Sequence, residues 1–179
     1  MHHGIMFPKA GGFQLSGSAD ADFNGDPDER LSTSGITIDF GGALILASSR
    51  TQKWASKSVG QSEHGALAQL AAEILFYKRA LDSLQIEQGV TTATMRDSVE
   101  LSSDSNVAMA AANRPANWQS DKFKHIESHR MFWHQYVRSK VLTLVKVPSE
   151  INSADLLTKN FDSAEKFQEL ANMYMKEMP

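Results

Sequence analysis

Seven positions, Glu63, Leu67, Leu70, Ile74, Tyr77, Leu81 and Leu84, recur at intervals of four and three residues and so share one face of a helix. A helix of roughly six turns with one apolar stripe needs a broad apolar surface to lie on. That surface has to come from elsewhere in the chain. Ser62 is the expected N-cap and Gly89 the expected stop. The first member of the stripe is charged. Glu63, on the core-facing side at the helix start, has two readings: a favourable contact with the helix dipole, or a projection over a sheet edge toward a site.

The surface the helix needs is legible upstream. Phe13, Leu15, Gly17, Ala19, Ala21 and Phe23 alternate with Gln14, Ser16, Ser18, Asp20 and Asp22, the period of a strand that runs into an acidic turn near Asp26. Carboxylates on its second face mean either a solvent-facing surface or a central strand carrying a metal-binding acid. Residues 34–40 alternate as a second strand, Gly41-Gly42 makes a tight connection, and the apolar run 43–47 is a third, which together predict an antiparallel meander. Residues 48–60 are polar and hold Arg50, Lys53 and Lys57. They read as a solvated loop or edge strand, or as a rim facing nucleic acid. Residues 1–12 are broken by Pro8 and two glycines and read as a loose arm or the tail of a preceding element, with His2 and His3 as terminal residues rather than a metal pair.

Residues 98–103 alternate as a fourth strand, closed by Asp104 ahead of a short helix over 105–113. Asp104 can cap that helix or stand at the carboxyl end of a strand, where ligands bind in sheets flanked by helices. Residues 121–140 predict a second long helix with Phe123, Ile126, Phe132 or Trp133, and Val137 inward. Its other face gathers Lys122, Lys124, His125, His129, Arg130, His134, Arg138 and Lys140 against Asp121 and Glu127 alone. That face is either solvated or a local footprint for nucleic acid. A fifth strand over 141–147 ends at Pro148. Ser153 is the expected cap of a helix carrying Asp155, and 163–178 are expected to form a last amphipathic helix through Phe167, Leu170 and Tyr174. A meander followed by alternating strands and helices is an α/β arrangement with a mixed five-stranded sheet and helices packed on it.

Composition narrows the function classes. The 179 residues suffice for one domain with a core. The absence of cysteine excludes a disulfide framework, thiol catalysis and Cys-ligated zinc, and fits a reducing, intracellular compartment rather than secretion. No apolar run is long enough to span a membrane, and the start of the chain lacks the apolar core of a signal peptide. The net charge of −3 means that any nucleic-acid footprint is local.

Four acids then stand at element ends or in the central strand: Asp20, Glu63, Asp104 and Asp155. Gathered without a cation they would repel one another. Two Mg²⁺ ions about 4 Å apart would relieve that repulsion and clamp the attacking and leaving oxygens of a phosphodiester. The stretches 18–35 (SADADFNGDPDERLSTSG), 62–73 (SEHGALAQLAAE), 102–110 (SSDSNVAMA), 124–129 (KHIESH) and 147–159 (VPSEINSADLLTK) resemble, in order and spacing, the ribonuclease H domain that ends the Pol polyprotein of copia-type LTR retrotransposons. The resemblance covers about residues 13–172.

It implies a ribonuclease H-like fold and Mg²⁺-dependent cleavage of the RNA strand of RNA–DNA hybrids, with Mn²⁺ as a substitute ion. The acids carried over by motif are Asp20, Glu63, Asp104 and Asp155. Arg50, Lys53, Lys122, Lys124, His125 and Arg130 are the expected contacts to the hybrid. The family pattern also implies a partner, the reverse transcriptase domain of the parent polyprotein, no membrane association, and a division into 1–12 as the remnant of the preceding connection, 13–160 as the ribonuclease H-like domain and 161–179 as a C-terminal helix. Four positions differ from the usual pattern: Gln61 for Glu, His64 for Tyr, Ser105 for Asn and Phe23 for Trp. These differences carry the alternative reading, a remnant of the same fold that no longer cuts.

Overall fold

A mixed sheet of five strands lies at the centre of the chain, whose computed structural model describes residues 3–8, 14–88, 98–112, 132–161 and 163–177. Strands β2 (Leu15–Asp22), β3 (Thr33–Phe40) and β4 (Ala43–Thr51) form the antiparallel meander. After helix α1 (Val59–Gln88), strands β5 (Val99–Ser103) and β6 (Leu142–Lys146) add in parallel on the other side of β2. The strand order is β4-β3-β2-β5-β6, so the strand that carries Asp20 is central. This is the α/β architecture read from the sequence.

One face of the sheet takes the helix. Ala19 and Ile38 from the strands and Leu67, Leu70 and Ile74 from α1 are all fully buried. Gly17 sets the approach distance. A Cβ there would lie 2.7 Å from Leu70 Cδ1 and 2.8 Å from the Thr37 carbonyl oxygen, so only glycine lets the helix sit this close to β2. The stripe is buried through Ile74, half-buried at Tyr77 and Leu81, and exposed at Leu84. Length explains the change: 30 helical residues span about 45 Å, whereas an eight-residue strand spans about 27 Å. The helix outruns the sheet.

The opposite face of the sheet is covered by a segment that follows β6. It makes two 3₁₀ turns, Ser149–Ile151 and Ser153–Leu157, in place of the expected helix. The cap is Asn152, whose side chain accepts from the Ala154 N–H and donates to the Ala19 carbonyl at 3.2 Å. Gly35 on β3 makes room for this segment: a Cβ would lie 2.8 Å from the Ala154 carbonyl oxygen and 2.7 Å from Thr158 Cγ2.

Four boundaries depart from the sequence reading. The long helix starts at Val59, so Ser62 lies inside it, and its hydroxyl donates to the Val59 carbonyl. Strand β4 continues to Thr51, well past residue 47, because its polar end pairs with Thr33 to Gly35 of β3. The C-terminal helix α4 (Ala164–Ala171) is short. The chain then turns so that the Tyr174 hydroxyl donates to Asp39 Oδ2 at 3.1 Å and meets the Ser153 hydroxyl at 2.8 Å. It ends in strand β7 (Met175–Glu177), which pairs antiparallel with β1 (His3–Ile5), a strand within the segment read as a loose arm. The expected short helix over 105–113 is α2 (Asn106–Ala112), and of the expected second long helix over 121–140 residues 121–131 lie outside the described residues while the described end holds α3 (His134–Arg138).

Leu70→Ala should destabilise the protein by roughly 2–5 kcal/mol, since it opens a cavity against Gly17 at a site with no exposed surface. Urea unfolding followed by circular dichroism measures the loss; a change below about 0.5 kcal/mol would place Leu70 outside the core.

Candidate metal centre

Topology alone brings two acids side by side. In the parallel ladder Ser18 of β2 stands beside Ser102 of β5. Continued two residues, that register sets Asp20 next to Asp104, about one strand spacing of 5 Å away. Both stand toward the carboxyl ends of neighbouring parallel strands. Asp20 faces away from α1, since Leu15, Gly17 and Ala19 take the helix side of β2. The third acid, Asp155, arrives on that same face from the 3₁₀ turn that Asn152 ties to Ala19. Ligand oxygens of Asp20, Asp104 and Asp155 all lie within 4.8 Å of one another.

Glu63 flanks this trio from the second turn of α1 rather than the first, a consequence of the earlier helix start. It is 6% exposed. A hydrogen bond from the Ala21 backbone fixes its carboxylate beside β2, and its buried Oε2 has no hydrogen-bond partner among the described residues. The start of α1 is itself pinned to the sheet. Gln52, fully buried, donates through Nε2 to Ser34 Oγ at 2.8 Å and to the Ser62 carbonyl at 2.9 Å, while its Oε1 accepts from Ser56 at 3.0 Å. Gln61 accepts from the Lys57 N–H at 2.8 Å. The segment read as a polar loop or rim therefore holds the helix turn from which Glu63 projects.

The three aspartates share a further feature. The stretch after β6 supplies one donor to each: Ser149 Oγ to Asp104 Oδ2, Thr158 Oγ1 to Asp20 Oδ2, and Lys159 Nζ to Asp155 Oδ2 at 2.5 Å. Among the described residues Asp155 Oδ1 finds no hydrogen-bond partner and is buried, like Glu63 Oε2. Two orphaned carboxylate oxygens inside an acidic cluster are costly unless a cation meets them. All-oxygen donors from separate elements suit a hard divalent ion.

Electrostatics agree with that chemistry. Burial, then the Asp20 and Asp104 carboxylates, push the Glu63 carboxyl up to about 9. Burial raises Asp155 to about 6, with the Lys159 hydrogen bond opposing. Asp20 is also raised, by burial first, against the Thr158 hydrogen bond. Lys159 stays above its ordinary value: burial alone would lower it, but Asp155 and the neighbouring carboxylates outweigh that.

The basic residues expected to meet nucleic acid divide in two. Arg50 and Lys53 are exposed. Arg50 pairs across β3 with Ser34, which pairs with Ala21, so it stands two strands, about 10 Å, from the residue after Asp20. Lys122, Lys124, His125, His129 and Arg130 lie outside the described residues. His134, read as part of the basic face, is instead buried. Its Nε2 meets His64 Nε2 at 2.9 Å, and its ring packs 4.3 Å from Trp133, a fully buried side chain. Burial, then Arg138, lower His134 to about 4, so it stays neutral and locks α3 to α1. Gln52, Ser149, Thr158 and Lys159 were not singled out in the sequence, although Thr158 and Lys159 close the motif that carries Asp155.

No family model matches the chain. It is 29% identical over 147 residues to the retrovirus-related Pol polyprotein from transposon TNT 1-94 of Nicotiana tabacum, covering 81% of this chain and 10% of that protein. It is 29% identical over 157 residues to the Pol polyprotein from transposon RE2 of Arabidopsis thaliana, covering 88% and 10%. The chain thus spans about a tenth of the length of the curated relatives it matches. Among solved structures, the LC11 ribonuclease H1 in complex with an RNA/DNA hybrid superposes with a TM-score of 0.51 at 18% identity, over 80% of this chain and 93% of that one.

A carboxyl whose folded pKa lies above its unfolded value binds its proton more tightly when folded, so its contribution is full below the unfolded pKa and is lost as pH rises through the folded one. For Glu63 that window runs from 4.5 to about 9. In a chelating buffer the melting temperature should therefore fall between pH 5 and 9, and Glu63→Gln should flatten that fall. Parallel melting profiles for the parent and the variant would count against this electrostatic picture.

The chain is thus similar over most of its length to part of retrotransposon Pol polyproteins, and its fold is ribonuclease H-like.

Proposed function

We propose that the chain is a divalent-metal-dependent endonuclease that cuts the RNA strand of RNA–DNA hybrids, in the service of reverse transcription. The observation that carries the reading is the meeting of Asp20, Asp104 and Asp155 within 4.8 Å at the ends of two central parallel strands, with Glu63 beside them. The solved relative bound to an RNA/DNA hybrid supports the choice of substrate. In this reading Asp20, Glu63, Asp104 and Asp155 hold two Mg²⁺ ions, or Mn²⁺ in their place, and are the catalytic set. When bound, such ions supply an activated water and neutralise charge on the leaving oxygen, so no protein nucleophile is required.

The chain's own residues position the reaction. Asp20 and Asp104 offer carboxylates from rigid strand ends. Asn152 and Gly35 seat Asp155 over β2, and Gln52 fixes the turn that carries Glu63. Arg50 and Lys53 track the phosphate backbone beyond the β4 edge, joined by Lys122, Lys124, His125 and Arg130. The partner of the domain is the reverse transcriptase of a parent polyprotein, and its setting is intracellular. Among the described residues, no helix is long and apolar enough to cross a membrane.

Cleavage of a 5′-labelled RNA–DNA hybrid tests the reading. The parent should cut in Mg²⁺ and not in chelator. Asp104→Asn should lower the rate by at least about a hundredfold, the scale of losing a transition-state stabilising group, with an unchanged circular dichroism spectrum. An Asp104→Asn protein that cuts at the parent rate would remove the two-metal assignment. A parent that binds hybrid but leaves it intact in Mg²⁺ would favour the remnant reading.

Binding has its own test. Arg50→Glu with Lys53→Glu should weaken hybrid affinity about tenfold or more at low salt and flatten the slope of log affinity against log salt by up to about two units, since each neutralised phosphate contributes about one. An unchanged slope would take the β4 edge out of the interface.

A further inference from the structure

One cation already stands in the acidic centre. Lys159 Nζ lies 2.5 Å from Asp155 Oδ2, and the backbone ties the two residues as well, the Lys159 N–H donating to the Asp155 carbonyl at 3.0 Å. The pair is unequal. The Asp155 side chain is 1% exposed, whereas that of Lys159 is 42% exposed. The ammonium also acts on Asp20 and Asp104, which places one mobile positive charge among three fixed negative ones. The donors to Asp20 and Asp104 are neutral hydroxyls, from Thr158 and Ser149. Among the described residues, only Asp155 is hydrogen-bonded by a charge of the same sign as a metal ion.

An ion that draws on Asp155 therefore meets an oxygen committed to an ammonium. The turn that carries Asp155 is seated by Asn152 and Gly35 and its side chain is buried, while a flexible side chain with nearly half its surface in solvent can leave.

We propose that Lys159 is a resident counter-cation of the acidic centre, exchanged for the divalent metal: it holds Asp155 in the ion-free protein and is released from it on metal loading. This inference rests on the metal-dependent reading above. It makes Lys159 a competitor of the metal and a stabiliser of the empty site, two roles that an ordinary surface ion pair does not combine.

The test is Mn²⁺ titration by calorimetry, together with melting temperatures in chelator and in saturating Mn²⁺, for the parent, Lys159→Met, Lys159→Arg and Asp155→Asn. Lys159→Met should melt lower than the parent in chelator, bind Mn²⁺ about three- to tenfold more tightly, a factor on the scale of one lost ion pair, and melt level with the parent once loaded. Lys159→Arg should behave as the parent. If Lys159→Met binds Mn²⁺ no more tightly, or remains as far below the parent when loaded as when empty, the exchange is overturned while the metal reading stands. If the parent takes up no Mn²⁺, or binds it as well after Asp155→Asn, the metal reading falls and the exchange falls with it.

Discussion

The close seat of α1 on β2 is the contact on which the rest of the structure depends. Gly17 removes the one Cβ that would hold the helix off the sheet, and Leu70 and Ile74 fill the space it leaves. Because β2 is central, the same seat fixes where the helix start can lie, and Gln52 adds a polar tie between that start, β3 and the loop after β4. Glu63 is thereby carried to within reach of two strand-end aspartates. Apolar packing thus sets the position of a carboxylate whose own electrostatics oppose being there.

That opposition gives the domain its character. Buried acids with raised pKa values carry a cost of lost solvation first and of mutual repulsion second in the ion-free state, and the hydrophobic core holds them together against it. Anything that binds the folded cluster but not the unfolded chain returns that energy as stability. The hydroxyls of Ser149 and Thr158 and the ammonium of Lys159 are partial substitutes from within the chain. They all come from one stretch after β6, which makes that stretch as much a part of the site as the strands beneath it.

Much of this was legible in the sequence, and for physical reasons. Period two in 15–22 and 33–40, and the four-three spacing from Leu67 to Ile74, report local burial directly, so the strands, the helix and the mixed sheet could be read. Asp20 and Asp104 stood out as acids at strand positions. What escaped depends on partners far away in the chain. Gln52 is an ordinary polar residue until Ser34 and Ser62 close on it. His134 looks like one more basic residue until His64, 70 positions earlier, meets it in the core. The last helix ends early because Tyr174 is drawn to Asp39 and Ser153, a preference no local period encodes. The 3₁₀ turns likewise follow from Asn152 reaching Ala19.

The pairing of β1 with β7 has a geometric consequence. His3 stands opposite Glu177, so two segments separated by nearly the whole chain run side by side, about 5 Å apart. Closing so large a ring costs conformational entropy that grows only with the logarithm of its length, and the folded sheet between them has already met most of that cost. The backbone path is therefore nearly a circle. Such a path can be joined at this ladder and opened at an exposed loop elsewhere without redirecting any strand that carries the acids, because the order of the five central strands is set by their contacts and not by where the circle is cut.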